Sequence, residues 1–135
     1  MINEHDLDAF GYWSATPPDT KPMTVPEMVR EFAVKTHQFP QPFLYAGLIA
    51  EEADEWRSEY QRDTREEQLK ELADLVYVIY GFANAKGWDL NEAVRRVHEN
   101  NIGRCIQPDG SVQRRADGKI LKNPDFPKVD LTDLV

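Results

Sequence analysis

Glu71-Leu72-Ala73-Asp74-Leu75-Val76-Tyr77-Val78-Ile79-Tyr80-Gly81-Phe82-Ala83 decides the fold, because from Leu72 to Ala83 it is apolar on nearly every side and broken only by Asp74. A helix with that pattern is not a surface helix of a small monomer; it belongs at the centre of a helical domain or under a second subunit. It is far short of the ~20 apolar residues that span a bilayer. Upstream, Asp63-Thr64-Arg65-Glu66 has the form of a capping box, and downstream Gly87 stands where a left-handed stop is wanted. The helix is therefore predicted to run from this box to Lys86.

Working outward, Pro40 and Pro42 precede a second helical stretch, Phe43 to about Tyr60, with Tyr45, Ile49, Glu52 and Trp56 on one stripe and Leu48 and Glu55 beside it. Before it, Thr24-Val25-Pro26-Glu27 supplies a cap, a first-turn proline and a reciprocal glutamate for a helix from Val25 to Gln38. After it, Asp89-Leu90-Asn91-Glu92 opens a helix ending near Asn101 to Gly103. Beyond Gly103 the period is lost, and Asp109-Gly110 and Asp117-Gly118 are turn signals that could mark a small hairpin. The expectation is an all-α, four-helix domain over residues 24–104, an irregular arm over 1–23 and a tail over 105–135.

A chain of 135 residues is the size of one domain, and 41% hydrophobic with 30% charged residues is a globular balance. A formal charge of −8 excludes the basic footprint of a protein that neutralises many phosphates of DNA or RNA. A small polyanion remains open if a metal screens it. With Cys105 alone and no basic, then apolar, start, the chain reads as cytosolic.

Glu52 and Glu55, three residues apart, share one face of the second helix, and Glu71 and Asp74 repeat that spacing on the third. A Glu-rich turn is usually only a solvated face. Asp74 resists that reading, since it stands among Leu72, Ala73, Leu75, Val76 and Tyr77 with no Lys or Arg one turn after it. A charge left unpaired in apolar surroundings costs several kcal/mol or is neutralised. A cation between the helices would resolve this. Oxygen ligands of this kind suit magnesium or manganese, and His5, His37 and His98 are too scattered, with one cysteine, for zinc.

Glu51-Glu52-Ala53-Asp54-Glu55 followed by Glu71-Leu72-Ala73-Asp74 resembles the E-E-x-x-E and E-x-x-D pattern of the MazG-like all-α nucleoside triphosphate pyrophosphohydrolases. His98 to Arg104 is similar to the H-x-x-N-x-x-K stretch of their phosphoribosyl-ATP-pyrophosphohydrolase-like branch, and Asp117 to Lys122 resembles its D-G-K-x-x-K tail. Arg104 stands in place of the usual lysine, and Tyr45 where many relatives carry arginine.

The resemblance implies cleavage between the α and β phosphates of a nucleoside triphosphate, giving a monophosphate and pyrophosphate. It implies Glu52, Glu55, Glu71 and Asp74 as metal ligands and Glu51 as a residue that orients or deprotonates the attacking water. Phosphate and sugar contacts would come from His98, Asn101, Arg104, Lys119 and Lys122, although a histidine on a last helical turn often only meets terminal carbonyls. Phe39, Phe43, Tyr45, Trp56 and Tyr80 are available for the base, or simply for the core. Tyr12 and Trp13 either dock on a neighbouring subunit or close over a ligand. The resemblance also points to a homodimer or homotetramer in which a neighbouring chain lends cations to the site. Two alternatives stay open. One is hydrolysis of phosphoribosyl-ATP in histidine synthesis, set second because the arm and tail look more like the stand-alone, phage-borne or bacterial, branch. The other is a non-catalytic helical module.

Overall fold

Thr24 opens the first helix, α1 (Val25–Lys35): its hydroxyl oxygen accepts from the Glu27 amide, the forward half of a capping box, while the Glu27 carboxylate accepts from the Thr24 hydroxyl at 2.9 Å rather than from its amide. This computed structural model describes residues 21–38, 41–62 and 64–135. Tyr12, Trp13, Phe39, most of the arm and Asp63 lie outside the described residues. α1 stops before Gln38 because His37 turns into the left-handed region, φ 56°. The amides of His37 and Gln38 then fold back onto the carbonyls of Val34 and Ala33, a Schellman closure made by a residue other than glycine.

α2 (Pro42–Arg62) and α3 (Arg65–Lys86) are joined by two residues and pack against each other as an antiparallel hairpin. Thr64 does not cap α3; its hydroxyl donates to the Glu59 carboxylate at 2.7 Å and ties the hairpin end to α2 instead. Gly87 is the left-handed stop of α3, φ 73°. Close approach of the two helices depends on Gly81, where a Cβ would stand 2.2 Å from Cε1 of the buried Tyr45 ring.

α1 also packs on α3. Val29 is fully buried there, Phe32 meets Tyr77 edge-on at 5.8 Å, and Asn84 donates to the Pro26 carbonyl at 3.0 Å. The apolar α3 is thus central, packed by α1 and α2. Yet Leu69, Leu72 and Val76, one stripe along it, remain exposed.

α4 (Leu90–Cys105) starts on Asp89, which accepts from the Glu92 amide. Among the described residues no other helix pairs with it as α1 and α2 pair with α3, and the tail packs on it. Phe126 lies on Gly103, Asn100 donates to the Pro127 carbonyl, and Arg96 reaches the Asp130 carbonyl and both oxygens of Asp133 at 2.5 and 2.8 Å. Between them the chain makes two tight turns, with Gly110 and Gly118 left-handed and antiparallel bridges Ile106 to Val112 and Arg114 to Ile120. Every other regular element among the described residues is helical, and none of these helices is long and apolar enough to cross a membrane.

Two expectations follow. Gly81→Ala should lower the unfolding free energy by about 1–3 kcal/mol, since the added methyl overpacks the Tyr45 ring; an unchanged urea midpoint would mean that the ring moves aside freely. The second concerns the tail. Hydrogen bonds from Arg95 and Arg96 hold Glu92 at about 2, below its ordinary 4.5, and hydrogen bonding to Arg96 holds Asp133 at about 2, below 3.8. A carboxylate depressed on folding stabilises above its unfolded value, and that contribution is lost as the pH falls through the folded one. Protection factors of the amides at residues 130–134, taken against the exchange of an unstructured chain at the same pH, should therefore fall between pH 4.5 and about 2. Tail amides already unprotected at neutral pH would refute the clasp.

Candidate metal centre

Glu52 and Glu55 are one turn apart on α2, and Glu71 projects between the same two helices from α3. The antiparallel register brings one carboxylate oxygen from each of the three within 4.8 Å of the others. Glu55 is exposed, Glu52 half-buried and Glu71 only 7% exposed. One oxygen of Glu52 and one of Glu71, Oε2 in both, are shut off from solvent with no hydrogen-bond partner among the described residues. Buried polar atoms are rarely left so, because an unmet acceptor carries its full desolvation cost.

Burial first, then the nearby charges of Glu55, Asp74 and Glu71, push the Glu52 carboxyl above its ordinary range. Crowded acids of this kind are stabilised by a shared proton or by a cation. Three hard oxygen donors, in a cluster with two buried oxygens unmatched, are the kind of set that a hard divalent cation takes.

Asp74 sits differently from its expected place. Its side chain is 40% exposed and pairs at 2.9 Å with Lys70, one turn before it on α3. The charge that seemed unexplained on an apolar helix is therefore matched, and the buried acid is Glu71. Asp74 still flanks the cluster, close enough to raise Glu52. Lys70 also reaches Oε1 of Glu71 at 3.3 Å, and these two acids hold its ammonium well above the usual lysine range. No cation lies one turn after Asp74, but Lys70 stands four residues before it, and that i,i+4 spacing is the signal in the sequence for the pair.

Glu51 is exposed and borders a shallow hollow with Pro42, Phe43, Gly47 and Leu48, outside the trio. The other expected residues ride on α4 and the tail. His98 and Asn101 are exposed; Arg104 is half-buried, with its Nε unmatched; Lys119 and Lys122 are exposed and make no ion pair among the described residues. No hydrogen bond or ion pair among the described residues joins any of them to the trio. Of the candidate base contacts, Tyr45 is core, Trp56 stacks on Tyr60 at 5.7 Å, Tyr80 hydrogen-bonds Asn91, and Phe43 is 94% exposed. Tyr45 also borders a hollow of about 440 Å³ with Val29, His37, Gly81 and Asn84.

A model of the family described as phosphoribosyl-ATP pyrophosphohydrolase matches residues 25–101. No curated protein matches the chain. The match takes in α1, α2, α3 and most of α4, and hence all the carboxylates above; the tail from residue 102 lies beyond it. Covering more than half of the chain, it establishes that this is a member of the phosphoribosyl-ATP pyrophosphohydrolase family.

Proposed function

We propose that the protein is a magnesium-dependent, or manganese-dependent, nucleoside triphosphate pyrophosphohydrolase that cleaves the α–β bond of a (d)NTP, giving (d)NMP and pyrophosphate, and so controls a nucleotide pool. The observation that carries this reading is the pair of buried, unpartnered oxygens of Glu52 and Glu71 inside a three-carboxylate cluster. Glu52, Glu55, Glu71 and Asp74 are the metal ligands. Divalent ions held there would bridge phosphate oxygens, offset charge developing in the transition state and lower the pKa of a bound water. Glu51, next to Glu52 in the chain and open to solvent, would accept a proton from that water. The hollow beside Tyr45, about two helical turns along α2 from Glu52, offers the apolar walls that a base requires.

Phosphate cations from α4 and the tail come, in this reading, from a second copy. The exposed Leu69, Leu72 and Val76 stripe is the surface a homodimer or homotetramer would cover. The family's description favours a second substrate, phosphoribosyl-ATP, cleaved at the same kind of bond.

The deciding assay incubates pure protein and Mg²⁺ with NTPs, dNTPs and phosphoribosyl-ATP and follows pyrophosphate together with the monophosphate. Release from none of them would leave a non-catalytic helical module; orthophosphate with a diphosphate would put the cut at the wrong bond. Glu71→Gln should cut turnover by roughly a hundredfold or more while helix content is kept, and retained turnover removes Glu71 from the site. Val76→Glu should shift the protein to monomer in sedimentation and reduce turnover with it. A monomeric wild-type protein of full activity would end the assembly proposal.

A further inference from the structure

A centre built of four carboxylates repels the triphosphate it is proposed to bind, and one or two divalent ions would offset only part of the combined charge of carboxylates and triphosphate. Some cation must therefore stand at its rim. Lys70 is the cation that the fold puts there: Nζ lies 2.9 Å from Asp74 Oδ2 and 3.3 Å from Glu71 Oε1. Among the described residues no other lysine or arginine pairs with Glu52, Glu55, Glu71 or Asp74.

The two oxygens of Glu71 divide the work. Oε1 faces Lys70, while Oε2, in a side chain more than nine-tenths buried, is directed away from solvent and has no partner. Lys70 itself is 60% exposed. An ammonium has three donors, and two are engaged by Asp74 and Glu71. The third is free to meet an oxygen outside the cluster, on the solvent-exposed side of Lys70.

We propose that Lys70 is a phosphate-binding residue of this centre, contacting a phosphate oxygen of the metal-bound substrate while its carboxylate partners hold it at the rim. This rests on the reading of the acidic cluster as a metal site for a polyphosphate. It assigns from α3 of the same chain a positive group that the other candidates supply only from α4 and the tail. The bland alternative is a surface i,i+4 pair, which would matter little to any ligand.

The test separates metal from phosphate and avoids the unknown base. Mn²⁺ binding and binding of the manganese complex of inorganic tripolyphosphate are measured by calorimetry for the wild-type protein, Lys70→Met and Lys70→Arg. Lys70→Met should keep or tighten Mn²⁺ binding, since a positive charge beside the ion is gone, and should weaken tripolyphosphate about tenfold, the worth of one charge-assisted hydrogen bond. Lys70→Arg should recover most of that loss. Unchanged tripolyphosphate affinity in Lys70→Met overturns the proposal. So does a parallel loss of Mn²⁺ affinity, which would make Lys70 a prop for the carboxylates. Absence of Mn²⁺ binding in the wild-type protein would instead remove the metal site itself.

Discussion

The ring of Tyr45 fills the space that a side chain at position 81 would need, and the site depends on that contact. It brings α2 close to α3 and fixes their register. In an antiparallel pair, moving ten residues forward from Tyr45 and ten back from Gly81 arrives at Glu55 and Glu71. Those are two of the three acids whose oxygens converge. A slide of one turn, about 5.4 Å, would separate them. Packing at one end of the hairpin thus sets the chemistry at the other, and the Thr64 to Glu59 hydrogen bond near the turn secures the same register from the far side.

Much of this was legible in the sequence. Thr24, Asp89 and Gly87 start and stop helices as their chemistry requires, and the three-residue spacings put Glu52 beside Glu55 and Glu71 beside Asp74. What could not be read was which acid is buried. Apolar neighbours in sequence suggested Asp74, but neighbours along a helix point in different directions. Asp74 turns towards Lys70, while Glu71, with fewer apolar neighbours in the chain, is the one enclosed. The end of α1 was hidden for a related reason: histidine enters the left-handed region more readily than most residues but far less than glycine, and only the closure onto Ala33 and Val34 shows it.

The tail is governed by different forces. Its turns are local, with Asp109 accepting from the Ser111 amide and Asp117 from the Lys119 amide, and this is why Asp-Gly pairs announced them. Its attachment to α4 is not local. Arg96 links Glu92, one turn back on α4, to Asp133 and the Asp130 carbonyl near the end of the chain, and Phe126 takes the room that Gly103 leaves. Such long-range pairs have no periodicity from which to read them.

Charge is distributed along the same divide. The acids of the cluster lie on the α2–α3 hairpin, whereas Arg104, Arg114, Arg115, Lys119 and Lys122 follow within nineteen positions on the end of α4 and the tail. Asp109 and Asp117, the acids among them, are engaged in their own turns. A chain of net −8 thus carries a positive segment, and no ion pair among the described residues joins it to the acids of the cluster. The exposed Leu69, Leu72 and Val76 stripe is a second unmet demand, on the central helix. In the proposed assembly one neighbouring copy would satisfy both, covering the stripe and presenting its positive segment to the acids. Lys70 has no need of that neighbour, because the helix that supplies Glu71 supplies it as well.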